Sequence, residues 1–110
     1  MADTKTDLLQ GTLDLLILKT LQTAPQHGYG ISLRIAQISR EALQVRQGSL
    51  YPALHRLVRR GSLAAEWGDS ENNRRARFNR LTAKGRRQLE VEEDNWKRVA
   101  AAIGLVLDTA

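Results

Sequence analysis

The 110-residue chain contains no cysteine, so it can form neither a disulfide framework nor a metal site built on thiolates. Its longest apolar run, at residues 99–107, is far shorter than the roughly 20 residues that a membrane-spanning helix requires. The N-terminal segment also lacks the cationic and apolar regions of a secretory signal. These absences predict a cytoplasmic protein with one modest core and no membrane partner.

Groups that support catalysis or metal binding are also sparse. His27 and His55 fall in different predicted elements, and no carboxylate stands at metal-ligand spacing from either. The acidic residues 92–94 are consecutive, so their side chains point in different directions on a helix. The Gly-Tyr-Gly segment at 28–30 follows no predicted strand and is a weak phosphate-loop signal. We therefore expect no enzymatic activity, no metal and no cofactor.

The positive charge of the chain is concentrated in one stretch. Ten of the 17 basic residues lie between positions 55 and 87, where only three acidic residues oppose them. The rest of the chain carries more acidic than basic residues. A charge localised in this way is typical of a surface that binds a polyanion, although a solvated charged face gives the same pattern.

A first helix is predicted over residues 7–22. Leucine and isoleucine recur there with a 3.6-residue period, and Asp7 with Gln10 resembles a capping box. Because Leu15 and Leu18 fall on the other side, this helix is apolar nearly all round. Such a helix is either deeply buried or shared with a second subunit.

A third helix, at residues 50–60, carries a small polar face. It follows a second helix at 28–39 and a connector at 41–48 in which a brief strand is possible. Ser49 is expected to cap the third helix, and Pro52 lies in its first turn, where a missing N–H costs little. Leucines form its inner stripe, which leaves four side chains outside: Tyr51, His55, Arg56 and Arg59.

A β-hairpin and a long helix complete the chain. Residues 62–68 alternate with a period of two, which predicts a strand with Trp67 in the core beneath the hairpin. Turn-forming residues occupy 69–73, and the returning strand at 74–82 carries four arginines. Thr82 then caps a helix to about residue 107, on which apolar residues recur at heptad-like spacing.

This order of elements predicts a winged helix-turn-helix, a mainly α fold with a small β-hairpin. The winged domain is expected at residues 1–82, and residues 83–110 form a C-terminal dimerisation helix in one compact unit with it. In this architecture the third helix enters the major groove of DNA, and the hairpin, or wing, lies along the flanking backbone. Arginines on the wing would neutralise phosphates and reach a narrow minor groove.

Several stretches carry a family resemblance. The motifs "LLQGTLDLLILKTLQ", "HGYGI", "SLYPALHRLVRRG", "ENNRRARFNRLTAKG" and "NWKRVAAAIGLVL" together resemble PadR-type transcriptional regulators, over roughly residues 8 to 107. The resemblance implies a DNA-binding repressor that dimerises through its first and last helices. It also implies the compact subgroup, in which one C-terminal helix replaces a larger effector domain.

Double-stranded DNA, in the form of a palindromic operator, is the partner that these features predict. For Tyr29, a phosphate contact is implied by the resemblance, and a half-buried packing role is the alternative. For His55, a contact to a base or phosphate is weighed against packing within the helix. The residues expected to contact DNA are Tyr29, Ser49, Tyr51, Pro52, His55, Arg56, Arg59, Asn73, Arg74, Arg75 and Arg77.

A homodimer is predicted because a monomer of this size could not cover both apolar helices. Trp96 either packs in the dimer seam or, as multidrug-responsive members of the family imply, forms a plate for a small aromatic effector. The predicted interface residues are Leu9, Leu13, Leu16, Trp96, Val99, Ile103 and Val106.

Two other function classes compete with a DNA-binding regulator. A winged helix can use the same surface as a protein–protein interaction module without specific DNA binding. RNA is less favoured, because the basic stretch lacks the stacking aromatics that single strands require. A basic third helix next to a basic wing favours duplex DNA over both.

Overall fold

The structure, a computed structural model, describes residues 10–109. Leu9 and the start of the predicted capping box at Asp7 therefore lie outside the described residues. The elements are α1 Gln10–Thr20, β1 Gln26–His27, α2 Gly28–Ile38, α3 Gln47–Arg59, β2 Leu63–Asp69, β3 Arg75–Leu81 and α4 Ala83–Leu107. Apart from β1, which was not predicted, they follow the predicted order. The three strands form an antiparallel sheet in the order β1-β3-β2. The predicted winged-helix fold is confirmed.

The core lies where α1, α2 and α3 meet. Ile17, Ile31 and Leu50 are completely buried there, and Leu89 of α4 closes one side. Leu13, which was predicted in the dimer seam, is also buried in this core, so that assignment is wrong. The helical period identified the apolar side chains of α1 but could not tell which of its two apolar sides faces this chain's own helices.

Local details at the start of the helices differ from the sequence prediction. His27, for which no capping role was predicted, caps α2, because its Nδ1 accepts a hydrogen bond from the backbone N–H of Gly30 at 3.0 Å. Ser49 was predicted to cap α3, but that helix begins at Gln47, so Ser49 lies in its first turn. The connector before α3 forms no strand, whereas the two residues of β1 do. A two-residue strand is too short to show a period-two pattern.

Thr82 joins the base of the hairpin to α4, as predicted. Its hydroxyl accepts a hydrogen bond from the N–H of Gly85 at 3.0 Å and donates to the carbonyl of Gly61 at 2.6 Å. A side chain at position 85 would collide with the carbonyl oxygen of Ser62, so only glycine allows α4 to start this close to the hairpin. This contact fixes the direction of α4 relative to the sheet.

Glu93 connects α4 to α1. Its carboxylate accepts hydrogen bonds from Lys97 at 2.9 Å and from Lys19 at 3.1 Å. These two ammonium groups hold the pKa of the Glu93 carboxyl below its usual range. Because all three side chains are in contact with solvent, the link orients the helices more than it stabilises the fold.

Arg56 was predicted to lie on the outer face of α3, and this placement is wrong. Its Nη2 donates a 2.7 Å hydrogen bond to Oδ1 of Asp14 on α1, and the side chains are 22% and 6% exposed. A nearly buried carboxylate must be paired, because isolated charge is costly away from water. Arg56 therefore faces α1 and joins it to α3.

We expect Arg56→Ala to lower the free energy of unfolding by about 2 kcal/mol or more, because it leaves the Asp14 carboxylate buried without a partner. Arg59→Ala is the matched control, since Arg59 is exposed on the same helix. Its effect should stay within about 0.5 kcal/mol. Urea unfolding without DNA, at one protein concentration, measures both. Equal small losses would contradict a stabilising role for the pair.

Candidate nucleic-acid interface

One face of α3 remains open to solvent after the core is formed. Tyr51, His55 and Arg59 are exposed at intervals of four residues, which places them in one stripe along the helix. Ser49 is exposed in the first turn and Pro52 in the second, because α3 begins at Gln47, so the predicted first-turn position of Pro52 is wrong. The inner face is anchored by Ala53 and other buried apolar residues, so the outer stripe is rigidly mounted. Together, these five exposed residues are all the predicted contacts of α3 except Arg56.

A groove of about 650 Å³ separates α2 and α3 from the wing, which comprises β2, β3 and the turn between them. Tyr29 and Tyr51 form its helical side, and Arg74, Arg75 and Arg77 come from the wing. Arg34 of α2, which sequence reasoning missed, adds a fourth arginine, whereas Glu71 is the only acidic residue among the described residues that line the groove. The groove is therefore positively charged on both sides, as a site for a polyanion requires.

The wing turn is closed by its own backbone. The N–H of Ser70 donates to the carbonyl of Arg74 at 2.8 Å, and that of Asn73 donates to Ser70 at 3.0 Å. Asn73 adopts the left-handed conformation, with φ of 57°, which asparagine tolerates better than most residues. These contacts hold the exposed side chains of Asn73 and Arg74 at the end of the wing.

The arginines of the wing are divided between its two faces. Across the two strands, Trp67 pairs with Arg77, and Asp69 pairs with Arg75. Because alternate side chains share a face, Arg75 and Arg77 lie on the same face as Trp67. Arg80 belongs to the other face, where its Nε lies 3.5 Å from Oε1 of Glu66. The structure thus brings Arg75 and Arg77 toward the groove and leaves Arg80 outside it.

Trp67 was predicted to lie in the core, and this prediction is wrong. Its side chain is 62% exposed and lines the groove, with the guanidinium carbon of Arg75 5.8 Å from the ring centroid. The half-buried aromatic residue of the wing is instead Phe78. Its ring packs edge-on against the ring of His27, with 5.4 Å between the two ring centroids. The period-two alternation of β2 showed which side chains share a face of the strand. It could not show that the helical core ends before it reaches Trp67.

Tyr29 is 59% exposed, so it is not the half-buried packing residue that was one of its two readings. It follows Gly28, where a side chain would approach the ring of Tyr51 to 2.8 Å. The close approach of α2 to Tyr51 therefore places both tyrosine hydroxyls beside one groove. His55 is exposed too, and it borders a smaller hollow between α3 and Arg77.

A separate apolar stripe runs along α4. Leu89 is the last residue of α4 that is buried among the described residues. Beyond it, four large apolar side chains are exposed at heptad-like spacing: Trp96, Val99, Ile103 and Val106. Leu16 of α1 is half-buried at the edge of the core. A shallow depression of about 330 Å³ lies between α1 and Trp96.

Comparison with known proteins decides which class of regulator this fold represents. The model of the transcriptional regulator PadR-like family matches residues 17–91. The chain belongs to the PadR-like family of transcriptional regulators. It is therefore a DNA-binding regulator of transcription.

Three similar proteins cover nearly the whole of this PadR-like chain. An uncharacterised protein of Lysinibacillus sphaericus is 26% identical over 104 residues, which cover 94% of this chain and 95% of that protein. A transcriptional regulator from Clostridium thermocellum is 25% identical, with a TM-score of 0.80 and coverage of 90% and 96%. A PadR family transcriptional regulator from Eggerthella lenta is 30% identical, with a TM-score of 0.77 and coverage of 92% and 86%.

Within residues 10–109, no helix of this PadR-like protein is long and apolar enough to cross a membrane.

Proposed function

We propose that this PadR-like protein is a homodimeric repressor that binds a palindromic operator. In each protomer, α3 enters the major groove and the wing lies over the adjacent backbone and minor groove. The observation that carries the proposal is the position of the exposed α3 stripe and the arginine-lined groove on one side of the molecule. A duplex that contacts α3 there also meets the wing.

Base recognition is assigned to the N-terminal half of α3. Tyr51 and His55 offer a hydroxyl and an imidazole, which donate and accept hydrogen bonds at base edges in the major groove. Ser49, Pro52 and Arg59 flank them on the exposed surface of the helix. Arg56 is not part of this set, because its guanidinium is occupied by Asp14.

Affinity is assigned to the wing and to the start of α2. The wing presents one amide and three guanidinium groups to phosphates or to a narrow minor groove. They belong to Asn73, Arg74, Arg75 and Arg77. Tyr29 lies across the groove, where its hydroxyl can donate to a phosphate. Contacts of this kind set register on the duplex and make binding depend on salt.

Mutations in the wing and in α3 should therefore have different effects. We expect Arg74→Ala to weaken all duplexes alike and to lower the slope of log K against log salt by about one unit, since a phosphate contact is lost. His55→Ala should weaken the free energy of binding to the operator by about 1–3 kcal/mol and should change binding to random DNA little. Fluorescence anisotropy across a salt series measures both, with an operator selected from bound genomic fragments.

Arg86→Ala is the control for charge in this experiment. Arg86 is exposed at the start of α4 and does not line the groove, so its loss removes the same charge from another surface. Affinity and salt slope should stay near wild type. The assignment of the two grooves would be reversed if Arg74→Ala changed sequence preference and His55→Ala did not.

Dimerisation is supported by the exposed stripe on α4. Trp96, Val99, Ile103 and Val106 have the spacing of a coiled-coil seam, and contiguous apolar surface of this kind marks an interaction site. A two-fold dimer would also place two α3 helices for successive major grooves, about 34 Å apart. The palindromic operator follows from that symmetry.

We expect Ile103→Glu to split or unfold the dimer, because each seam would have to bury an unpaired charge. Ala101→Glu is the matched control, since Ala101 is exposed two residues away and points to the opposite face of the helix. Light scattering at micromolar concentration should give a dimer mass for the wild type and for Ala101→Glu. A wild-type protein that is folded and monomeric would contradict the proposal.

The depression beside Trp96 supports a second element of the proposed function, release from DNA by a small aromatic effector. Trp96 is 52% exposed, and Leu15 and Val99 line the depression beside it, together with polar residues that include Glu92 and Asn95. A second protomer would cover this site. Stacking on the indole is the interaction that a flat aromatic molecule would use there. A ligand that favours a dimer with wrongly spaced α3 helices would release the operator.

In a Trp67→Phe variant, where only Trp96 reports, planar aromatic compounds should quench fluorescence saturably and lower operator affinity over the same concentration range. Trp96→Phe is the control, and its operator affinity should respond less to the same compounds. A broad panel without saturable quenching would leave Trp96 as a packing residue of the seam and would exclude this site for an effector.

A further inference from the structure

The exposed Trp67 is the feature of the wing that DNA binding by arginine does not explain. An indole ring that is 62% exposed contributes little to the core of its own chain. It stands on the groove side of β2, next to the arginines of β3. Its one ring contact with a charged group among the described residues is with Arg75, at 5.8 Å.

Three arginines lie close together at this end of the wing. Arg74, Arg75 and Arg77 fall within four residues, so their like charges repel one another before DNA arrives. Free arginine side chains are also flexible, and ordering them on binding opposes association. A group that holds one guanidinium in place before binding reduces that cost.

Trp67 has the geometry for this role. The face of an indole attracts a guanidinium placed over it within about 6 Å. Stacking uses only the flat face of the guanidinium and leaves its N–H groups free at the edge. Arg75 can therefore rest on Trp67 and still donate in-plane hydrogen bonds to phosphate oxygens or minor-groove acceptors.

We propose that Trp67 is a positioning residue for DNA binding, which stacks beneath Arg75 and presents its guanidinium edge to the duplex. The proposal rests on the wing contact with DNA proposed above. Trp67 acts through Arg75 and does not itself need to touch DNA. The neighbouring Arg77, which stands directly opposite Trp67 across the strands, stays free to contact the same groove.

A double-mutant cycle on operator binding tests the proposal, with Trp67→Ala, Arg75→Ala and the combined variant. Trp67→Ala alone should weaken operator binding about two- to fivefold, the factor expected for an exposed cation–π contact. In the Arg75→Ala background, the same change should have no further effect. Trp67→Phe should restore part of the affinity, because a phenyl face still attracts the guanidinium.

Glu66→Ala is the matched control, since Glu66 precedes Trp67 on β2 but lies on the other face beside Arg80. Its effect on affinity should be the same with and without Arg75. Thermal unfolding without DNA should be nearly unchanged for Trp67→Ala, which separates positioning from loss of structure. In a Trp96→Phe variant, Arg75→Ala should shift Trp67 emission in the absence of DNA.

Additive losses from Trp67→Ala and Arg75→Ala would overturn the proposal, because Trp67 would then act independently of Arg75. An unchanged affinity for Trp67→Ala would also overturn it. If Arg75→Ala itself left affinity and salt slope at wild-type values, the assignment of Arg75 to the DNA contact would fail, and this proposal with it. Failure of the Arg75 assignment can be distinguished from failure of the Trp67 proposal alone, because it is visible in the single Arg75→Ala variant.

Discussion

The structure depends on the packing of one face of α3. Leu50, Ala53, Leu54 and Leu57 are buried against α1, α2 and the base of the wing, and this fixes the rotation of the helix about its axis. Because side chains repeat every 3.6 residues, burying that face leaves the opposite stripe exposed at a defined angle. The ion pair between Arg56 and Asp14 adds a directional contact to this non-directional packing. A regulator that reads DNA needs such rigidity, since a small error in helix orientation displaces every base contact.

The wing extends the same surface by a different physical rule. In a hairpin, register and alternation decide which side chains share a face, so Arg75 and Arg77 point toward α3 while Arg80 points away and lies near Glu66. The groove between helix and wing exists because the hairpin projects past the helical core. Leu63, Leu81 and Asn79 are buried nearer its base, whereas the described residues leave Trp67, further along the strand, exposed. Exposure of this indole is thus a consequence of wing length, and it supplies a surface on which an arginine can rest.

Among the described residues, α4 is joined to the winged domain by contacts in its N-terminal half. Thr82 caps it, Gly85 permits its close approach to Ser62, and Glu93 links it to α1 through Lys19. The rest of the helix carries an apolar stripe that the described residues of the same chain do not bury. The apolar side chains of the core are therefore buried within one protomer. The apolar stripe on α4 is not, and the proposed dimer would bury it.

The sequence by itself determined the order of the four helices and the hairpin, the inner stripe of α3, the Thr82 cap and the local concentration of arginine. These depend on periodicity and on residues adjacent in the chain, where the physics is local. Only the tertiary structure decided that Leu13 faces the core, that Arg56 pairs with Asp14, and that Trp67 is exposed beside Arg75. Each of these depends on which of two equivalent faces meets a partner distant in sequence. Periodicity carries no information about that partner, because a face is buried or exposed only when another element lies against it.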